Sequence, residues 1–414
     1  MSNVKSQFPS LRFDGFAGNW QETSFGQITQ ISSASRVHKH EWKKSGVPFF
    51  RTSDVVAHFK SAENEKAYIS YELYTSLSRK SGRVKKGDLL VTGGGSVGIP
   101  YLITSNTPLY FKDADLLWIK NKNNSGYFLY TYFMSPMFRG YLDGISHIGT
   151  ISHYTISQAN STPITIPTTL DEQTKIGDFF QNLDQQIKLH QDKHNKLQQL
   201  KQAMLGKMFP KFGAKVPQVR FDGFSGNWVS KTLGIDVATV IGGGTPNTMD
   251  NRYWNGDIDW YSPTEIGFSP FAYSSVKKIT RLGLKNSSAK ILPKDKTILF
   301  TSRAGIGDMA ILKNEATTNQ GFQSLVLNEG YDTYFIYSMG HLIKDYALQN
   351  ASGSTFLEIS GKTLGKMKVK IPSLTEQTKI GQYFQNLDNL IALQQQKINK
   401  LKNIKQACLG KMFV

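Results

Sequence analysis

Apolar residues recur every three to four positions along two long stretches of the chain, and this spacing predicts two long amphipathic helices. The first stretch runs from Glu172 to Phe209 and the second from Glu376 to Phe413, and 26 of their 38 aligned positions are identical. Neither stretch contains a proline. At about 1.5 Å per residue, each helix would be about 55 Å long, which exceeds most helices of a globular core.

The apolar positions of both helices follow a repeat of 3.5 residues, which is typical of a coiled-coil seam. The apolar members of the predicted seam are Ile176, Phe180, Leu183, Ile187 and Leu197 in the first helix, and Ile380, Phe384, Leu387, Ile391, Ile398 and Leu401 in the second. We expect the two helices to pair antiparallel, with Lys201 and Lys405 at equivalent seam positions helping to define the register. The alternative is that each helix packs only against its own domain.

A second repeat accompanies the first, because Phe8–Trp20 recurs as Val216–Trp228. The order is therefore short motif, variable region and helix, twice over, which predicts a pseudo-two-fold internal repeat. In an antiparallel pair, Phe8–Trp20 would lie where the second helix ends. We expect a first domain at 1–165, a first spacer helix at 166–210, a second domain at 211–370 and a second spacer helix at 371–414.

The two variable regions share a skeleton of short β-rich segments separated by Gly, Pro and Asn. Val47–Val55 parallels Ile258–Ile266, and Leu89–Thr92 parallels Ile298–Thr301. Helical segments are expected near 126–143 and 331–350. The pattern predicts an α+β protein with two strand-rich mixed α/β domains and a pair of long helices between them.

The charge of the chain favours a polyanionic partner. Lysine and arginine number 49 against 31 acidic residues, a net charge of +18 that is spread through folded-looking sequence. The plainer alternative is a solvated basic surface. Cys408 is the only cysteine, which excludes an internal disulfide framework and a cysteine zinc cluster. The start of the chain has no apolar signal core and no stretch is apolar enough for a membrane span, so we expect a cytoplasmic protein.

Several short motifs point to catalysis or cofactor binding only superficially. Gly93–Gly98 satisfies G-x-G-x-x-G, but a strand rather than a helix is expected after it, so a turn or a loop approaching a phosphate or base is favoured. Ser360–Thr363 lacks the upstream glycine of a phosphate loop. His190 and His194 have metal-ligand spacing, yet the second helix has Gln394 and Ile398 there. We expect no metal site and no catalytic residue in this chain.

The whole chain, taken in order, resembles the specificity subunit of type I restriction–modification systems. Leu11–Trp20, with its repeat at Val219–Trp228, is similar to the segment that opens the sequences of that family. The segments 166–184 and 371–388 resemble the starts of the two spacer helices in that family. Segments 242–260, 300–307 and 317–325 resemble features of its target-recognition domains. The first variable region departs from this pattern, because TGGGSVG stands where TSRAGIG is expected.

The resemblance implies a non-catalytic DNA-recognition subunit. Each target-recognition domain would read one half of a bipartite asymmetric site, and the helices would set the gap between the halves. Two modification subunits, which carry S-adenosylmethionine and methylate adenine, would dock on the helices. Two ATP-dependent restriction subunits would join them, with ATP and Mg bound there, so that this chain itself binds no cofactor.

The candidate DNA contacts are polar or basic side chains of the variable-region loops, because Arg reads guanine, Asn and Gln read adenine, and hydroxyls bond phosphates or base edges. They are Arg36, His38, Lys39, Arg51, Thr92, Gly94 and Ser96 in the first region, and Thr245, Asn247, Arg252, Tyr253, Ser302, Arg303, Asn319 and Gln320 in the second. Trp20, Trp228, Trp254 and Trp260 are expected in the core rather than stacked on bases.

Two other functions remain open from the sequence. One is a DNA methyltransferase that carries its own catalytic site, although no adenine-methyltransferase signature is present. The other is a basic coiled-coil scaffold that binds DNA without reading its sequence. Binding of S-adenosylmethionine by the isolated chain would favour the first, and salt-dominated binding without sequence preference would favour the second.

Overall fold

The computed structural model describes residues 8–112, 115–146, 153–211, 213–303, 305–353 and 357–414. The expectation for the start of the chain therefore falls mostly outside the described residues, as does Phe212 in the segment between the first helix and the second repeat. The chain divides into two compact units, Met1–His190 with Lys397–Val414, and Gln191–Gln396. Each unit contains one variable domain and about half of each long helix.

The first unit carries nine short strands and the first part of the first long helix among its described residues. The strands are β1 (Gln21–Ser24), β2 (Thr29–Ser32), β3 (Val47–Phe50), β4 (Ala67–Ile69), β5 (Leu89–Thr92), β6 (Pro100–Leu102), β7 (Tyr110–Phe111), β8 (Leu116–Asn121) and β9 (Pro163–Ile166). The helices are α1 (Phe25–Ile28), α2 (Thr52–Lys60), α3 (Tyr71–Ser81), α4 (Gly126–Met134), α5 (Pro136–Ser146), α6 (Ile156–Ser161) and the start of α7 (Leu170–Met208), with a 3₁₀ turn at Lys39–Glu41.

The second unit follows the same plan. Its strands are β10 (Val229–Thr232), β11 (Ala238–Gly242), β12 (Trp254–Tyr261), β13 (Phe271–Ala272), β14 (Lys277–Ile279), β15 (Thr297–Phe300), β16 (Met309–Leu312), β17 (Ala316–Thr318), β18 (Gln323–Leu327) and β19 (Lys368–Ile371). Its helices are α8 (Arg281–Lys285), α9 (Thr333–Ser338), α10 (Gly340–Asn350), α11 (Gly361–Gly365) and the start of α12 (Leu374–Lys411). A π turn covers Leu233–Val237, and 3₁₀ turns cover Asn251–Tyr253 and Pro263–Glu265.

Each domain is built on a larger core sheet, antiparallel except for the parallel edge strand β13 of the second domain, and a three-stranded sheet. The first has the strand orders β2-β8-β5-β6 and β4-β3-β7, and the second has β11-β18-β15-β16-β13 and β14-β12-β17. Strand β3 pairs antiparallel with β4 and parallel with β7, and β12 pairs in the same way with β14 and β17. Strands β5 and β15 each lie between two antiparallel neighbours. The correspondences predicted from the sequence are therefore present in the fold.

The domains differ directly after the central strand of the three-stranded sheet. The first domain continues β3 into the nine-residue helix α2, whereas the second has only the 3₁₀ turn Pro263–Glu265 after β12. The expected helical segments near 126–143 and 331–350 are present as α4 with α5 and as α9 with α10. The shared skeleton therefore carries different surface elements in the two halves.

The two long helices pair antiparallel in both units. In the first unit Lys405 Nζ lies 2.5 Å from Asp184 Oδ1, and in the second Lys201 Nζ lies 2.5 Å from Asp388 Oδ1. These lysines occupy the seam positions expected to help define the register, and each bonds the equivalent aspartate of the other helix. A shift along the seam would separate both ion pairs. Because these charges are mostly screened from water, leaving them unpaired would destabilise the shifted arrangement.

Burial along the helices follows the 3.5-residue repeat. All eleven apolar seam residues named above are buried or half-buried. Two leucines away from the seam, Leu189 and Leu393, are 59% and 51% exposed. Hydrophobicity alone does not separate these two classes, but position on the helix does.

The ends of the helices also join the cores of the domains, so the two alternatives considered for the helices are combined. Phe413, after α12, packs on Phe128 and Phe180 at ring-centroid distances of 5.5 and 6.1 Å. Phe209, after α7, packs on Phe335 and Phe384 at 5.5 and 6.0 Å. Each domain core is therefore completed by the beginning of one helix and the end of the other.

No helix in the described part of the chain combines the length and the apolarity that a membrane crossing requires.

Candidate nucleic-acid interface

The repeated short motif anchors each domain to its helices. The Arg12 guanidinium donates from Nε and Nη2 to the two carboxylate oxygens of Glu172 at 2.6 and 2.8 Å, and its Nη1 donates to the Gly18 carbonyl at 2.6 Å. Arg220 and Glu376 form the same bidentate pair at 2.7 Å for both bonds. The hydrogen bonds to these carboxylates raise the pKa of both arginines. Paired bonds of this kind hold both distance and orientation.

The backbone of the same motif covers the end of the opposite helix. Leu11 N–H donates to the Lys411 carbonyl at 3.0 Å, and Val219 N–H donates to the Lys207 carbonyl at 3.0 Å. The final carbonyls of a helix lack intrahelical partners, so these bonds satisfy groups that burial would otherwise penalise. Phe8–Trp20 thus lies where the second helix ends, as the sequence predicts.

The beginning of each long helix contacts its domain through a repeated glutamine and a repeated glycine. Gln173 Oε1 accepts from Ser125 N–H at 3.2 Å, and Gln377 Oε1 accepts from Asp332 N–H at 3.1 Å. A Cβ on Gly177 would lie 3.0 Å from the Phe128 nitrogen, and a Cβ on Gly381 would lie 3.0 Å from the Phe335 nitrogen. The repeated Glu-Gln-x-x-x-Gly segment at the start of each long helix therefore forms a docking surface for the first turns of α4 and α9.

The domains present their candidate contacts on loops at the ends of the sheet strands. In the second domain the Thr245 hydroxyl donates to Gln320 Oε1, and Asn319 Oδ1 accepts from Gly321 N–H at 2.8 Å. Ser302 N–H in turn donates to the Gly321 carbonyl at 2.8 Å. The structure therefore brings Thr245, Ser302, Arg303, Asn319 and Gln320 together, although they come from three separate parts of the chain.

The remaining candidates of the second domain lie on the neighbouring loop before β12. Arg252 donates from Nε and Nη2 to the Asp250 carboxylate at 3.0 and 2.8 Å, and these bonds lower the pKa of Asp250. The Arg252 side chain is 75% exposed, so its charge faces solvent. Asn247 is exposed and Tyr253 is half-buried. This loop is suited to bonding a phosphate or a base edge.

In the first domain the exposed basic candidates cluster on one loop. Arg36, His38 and Lys39 are all exposed, and the His38 ring stacks on His40 at a centroid distance of 5.6 Å. Glu41 accepts from the His38 N–H at 2.6 Å, which holds the turn. Ser96 is exposed on the loop after β5. These four side chains are free to meet a ligand without rearrangement of the core.

Three candidates are held inside the protein instead. Thr92 is fully buried, where its hydroxyl accepts from Ile99 N–H at 2.9 Å and donates to the Ser96 carbonyl. Ser302 is fully buried as well. Arg51 donates to Asp54 at 2.8 Å and to the Glu65 carbonyl. The structure does not support direct contact by these three side chains, because each lies within the frame that supports the loops.

The glycine loop and the other short motifs have structural explanations. Gly98 N–H donates to the Thr92 carbonyl at 2.7 Å, and Gly307 N–H donates to the Thr301 carbonyl at 3.0 Å, so both loops are the same tight turn. Strand β6, rather than a helix, follows the first loop, which agrees with rejection of a dinucleotide site. Ser360 Oγ accepts from Thr363 N–H at 3.1 Å and caps α11.

The two histidines with metal-ligand spacing and the four tryptophans expected in the core all lie among the described residues. His194 is buried with Nδ1 3.3 Å from the Ile391 carbonyl oxygen, and His190 is half-buried on the same helix. Trp20, Trp228 and Trp260 are buried, and Trp254 packs edge-on against Trp260 at 5.1 Å. Among the described residues, no cluster of three or more His, Cys, Asp or Glu side chains could hold a metal ion.

Sequence reasoning missed three ionisable residues that border the same loops. Asp115 lies beside Gly94, His153 lies 3.5 Å from Asp115, and Glu358 lies 4.0 Å from Arg303. No periodicity or repeat marks these positions, because each belongs to an irregular segment that only the sheet brings next to the loop. An alignment of the two halves would have been the available signal, but their sequences diverge here.

Comparison with known proteins shows the same two-fold repeat of one domain that the fold shows. The family profile described as type I restriction modification DNA specificity domain matches residues 17–199 and again 225–403. A curated relative, the type I restriction enzyme MjaIX specificity subunit of Methanocaldococcus jannaschii, is 36% identical over 183 residues, which is 43% of this chain and 42% of that protein.

Two solved structures share the fold. The S subunit of a type I restriction–modification system from M. genitalium superposes with a TM-score of 0.61 at 16% identity, covering 98% of this chain and 99% of that one. A chain from a structural study of complex assembly and conformational transition of the type I system superposes with a TM-score of 0.54 at 17% identity, covering 94% and 96%. At these identities the likeness is one of fold.

Alignments with five curated relatives span only 38% to 61% of the lengths of those proteins. The two profile matches nevertheless cover most of the present chain and coincide with its two repeats. They confirm the family and the two-domain fold that the sequence predicts. The chain therefore belongs to the type I restriction–modification DNA specificity family.

Proposed function

We propose that this chain reads a bipartite, asymmetric DNA site, with one half-site contacted by each variable domain and the gap set by the paired helices. The observation that carries the proposal is the repetition of one frame with different loops. Both domains combine a core sheet with a three-stranded sheet and have the same anchor to the helices, yet Arg36, His38 and Lys39 face solvent in one, while Arg252 and Gln320 do so in the other. Two such readers specify two different half-sites.

The charge of the chain supports a DNA ligand. The net charge is +18, and contacts to phosphates contribute most of the non-specific affinity of a protein for a duplex. Loop side chains able to bond base edges then add sequence preference. A scaffold that binds DNA only through charge would need no second set of loop residues.

We further propose that two modification subunits dock on the helices. Leu189, Lys193, Lys196 and Leu200 lie on one face of α7 and are all exposed. Positions 393, 397, 400 and 404 of α12 carry the same pattern, Leu, Lys, Lys and Ile, and are exposed too. An apolar and basic face that occurs once per repeat suits two copies of one partner.

Catalysis belongs to the partners in this proposal. S-adenosylmethionine and adenine methylation are assigned to the modification subunits, and ATP, Mg and cleavage to two restriction subunits, in a cytoplasmic complex. The present chain supplies the choice of site.

Selection from a random duplex library with the full-length chain tests the proposal. At one stated salt concentration, we expect enrichment of two short defined sequences separated by a gap of constant length and variable sequence. Binding that falls steeply with salt and enriches no sequence would contradict the proposal and favour the scaffold.

Methylome sequencing gives an independent test in cells that express this chain with its modification subunit. Modified adenines should occur only within sites of the selected form. Methylation by the isolated chain with S-adenosylmethionine would instead favour the enzyme alternative.

A further inference from the structure

In the first domain two backbone hydrogen bonds hold the loop after β5, one to Asp115 and one to Tyr154. Gly93 N–H donates to the Asp115 carbonyl at 2.5 Å, and Tyr154 N–H donates to the Gly93 carbonyl at 2.6 Å. The loop is therefore clamped between the segment before β8 and the segment before α6. The residue next to Gly93, Gly94, is left facing the Asp115 side chain.

The second domain repeats these bonds on different residues. Ser302 N–H donates to the Gly321 carbonyl at 2.8 Å, and Ile359 N–H donates to the Ser302 carbonyl at 3.0 Å. The equivalent positions are therefore Gly93 and Ser302, Gly94 and Arg303, Asp115 and Gly321, His153 and Glu358, and Tyr154 and Ile359.

The same space is filled by side chains of opposite charge in the two domains. A Cβ on Gly94 would lie 2.6 Å from Asp115 Oδ2, so the carboxylate lies directly over the loop glycine. A Cβ on Gly321 would lie 3.5 Å from Arg303 Nε, so the guanidinium lies over the glycine of the facing segment. In each domain one glycine makes room for the charged residue opposite.

Each charged side chain is held by a neighbour and remains accessible. Asp115 Oδ1 lies 3.5 Å from His153 Nδ1, with the Asp115 side chain 39% exposed. Arg303 Nη1 lies 4.0 Å from Glu358 Oε2, with the Arg303 side chain 36% exposed. Both pairs are loose enough for a ligand to replace the protein partner.

We propose that the charged side chain beside this loop, Asp115 in the first domain and Arg303 in the second, reads one base pair of the half-site. The two domains would then have opposite preferences. The inference rests on the proposed DNA-reading function and assigns its specificity chemistry. A carboxylate only accepts, so Asp115 selects a base with an exposed amino group, cytosine or adenine. A guanidinium only donates, so Arg303 selects guanine through O6 and N7.

The library selection is repeated with two variants of the full-length chain, Asp115→Asn and Arg303→Gln. Asp115→Asn should relax the preference at one base pair of one half-site by about 5- to 150-fold, and Arg303→Gln should do the same at one base pair of the other. Glu63→Gln and Arg281→Gln, exposed charges of the same two domains, are matched controls and should leave the selected site unchanged.

A swap of the two residues gives the sharper test. Gly94→Arg combined with Asp115→Gly places the arrangement of the second domain in the first. The backbone at Gly94 is not in the left-handed conformation, so it can carry the arginine side chain. The first half-site should then prefer guanine at the affected position. An unchanged second half-site shows that the variant chain is folded.

Three results would overturn the assignment. They are an unchanged site with Asp115→Asn and Arg303→Gln, a uniform loss of affinity for all sequences, and a change spread over both half-sites. A wild-type chain that selects no sequence at all would contradict the proposed function itself, which keeps the two failures distinct.

Discussion

At the residue scale, the two anchoring motifs are chemically alike but not equally satisfied. Trp20 Nε1 donates to Glu172 Oε1 at 3.2 Å, whereas the buried Trp228 Nε1 has no hydrogen-bond partner within the described structure. Both side chains are 3% exposed. The repeat therefore offers an internal comparison in which burial is equal and one hydrogen bond differs.

Trp20→Phe should destabilise the start of the first helix more than Trp228→Phe destabilises the start of the second. Both changes remove similar ring area, but only Trp20→Phe removes a bond to a carboxylate, which contributes about 1.5–3 kcal/mol. Hydrogen–deuterium exchange at 172–176 and 376–380 measures the two effects. Equal increases in exchange would show that the Trp20 bond contributes nothing.

The half-buried His341 should make the second unit sensitive to acid. Burial lowers its pKa, partly offset by the Ser338 carbonyl and by Asp345, and its ring lies 5.7 Å from that of Phe209. An unfolded histidine titrates near pH 6.5, so below that pH the unfolded chain binds a proton that the folded unit resists. Stability contributed by neutral His341 should therefore decline as the pH falls from about 6.5 toward the lower folded pKa.

Chemical denaturation between pH 7.5 and 5.5 checks this sign. The wild-type midpoint for the second unit should fall over this range, and His341→Gln should weaken that dependence. An identical pH profile in the variant would remove His341 as its cause.

At the element scale, the long helices depend on the position of each apolar side chain rather than on their number. Leu387 is 5% exposed and lies in the seam, whereas Leu393 is 51% exposed on the same helix. The Lys201–Asp388 bridge is reinforced by the Tyr334 hydroxyl, which donates to Asp388 at 2.9 Å. Burial, followed by Asp388, raises the Tyr334 pKa, so this hydroxyl keeps its proton.

Leu387→Asp should destabilise the helical pair by several kcal/mol, because it buries an unpaired charge. Leu183→Asp, at a half-buried seam position, should cost less. Leu393→Asp and Leu189→Asp are the matched exposed controls. Thermal unfolding should give each of them a free energy of unfolding within about 0.5 kcal/mol of the wild-type value. Similar losses in all four variants would place the seam elsewhere.

The exposed variants also separate folding from docking. If the repeated face binds modification subunits, Leu189→Asp and Leu393→Asp should weaken that assembly while the chain alone stays folded. Size-exclusion chromatography with the modification subunit measures this, and full assembly with both changes would contradict docking at this face.

At the scale of the whole molecule, the proposed helical ruler makes a separate prediction. Removing seven residues from both helices, Ile187–Lys193 and Ile391–Lys397, preserves the 3.5-residue phase and shortens each by about 10 Å. The gap in the selected DNA should shorten, by up to about three base pairs, while both half-sites stay the same. Altered half-sites with an unchanged gap would refute the ruler.

Exchange of a whole domain tests the independence of the readers. Replacing 229–369 by the equivalent region of another family member should change one half-site and leave the other half-site intact. Library selection reads the outcome directly. A change in both half-sites would mean that the two domains do not read separately.

Much of the fold could be predicted because it is recorded in local patterns. The 3.5-residue repeat marks Phe180 and Phe384 as seam residues, and both are fully buried. The candidate DNA contacts were less accessible to this reasoning. Thr92 and Arg51 have the right chemistry for DNA, but their hydrogen-bond partners inside the domain use that chemistry first. Polar residue types in loops do not reveal which of them the fold consumes.

The sequence by itself determined the two helices, their pairing seam and the duplicated order of motifs, because periodicity and internal identity need no knowledge of contacts. Only the tertiary structure decided which loops meet, because Gly94 with Asp115 and Arg303 with Gly321 are joined by sheet pairing between irregular segments. Charge at the reading position is thus a property of the folded domain, where a side chain from either of two segments can fill the same space.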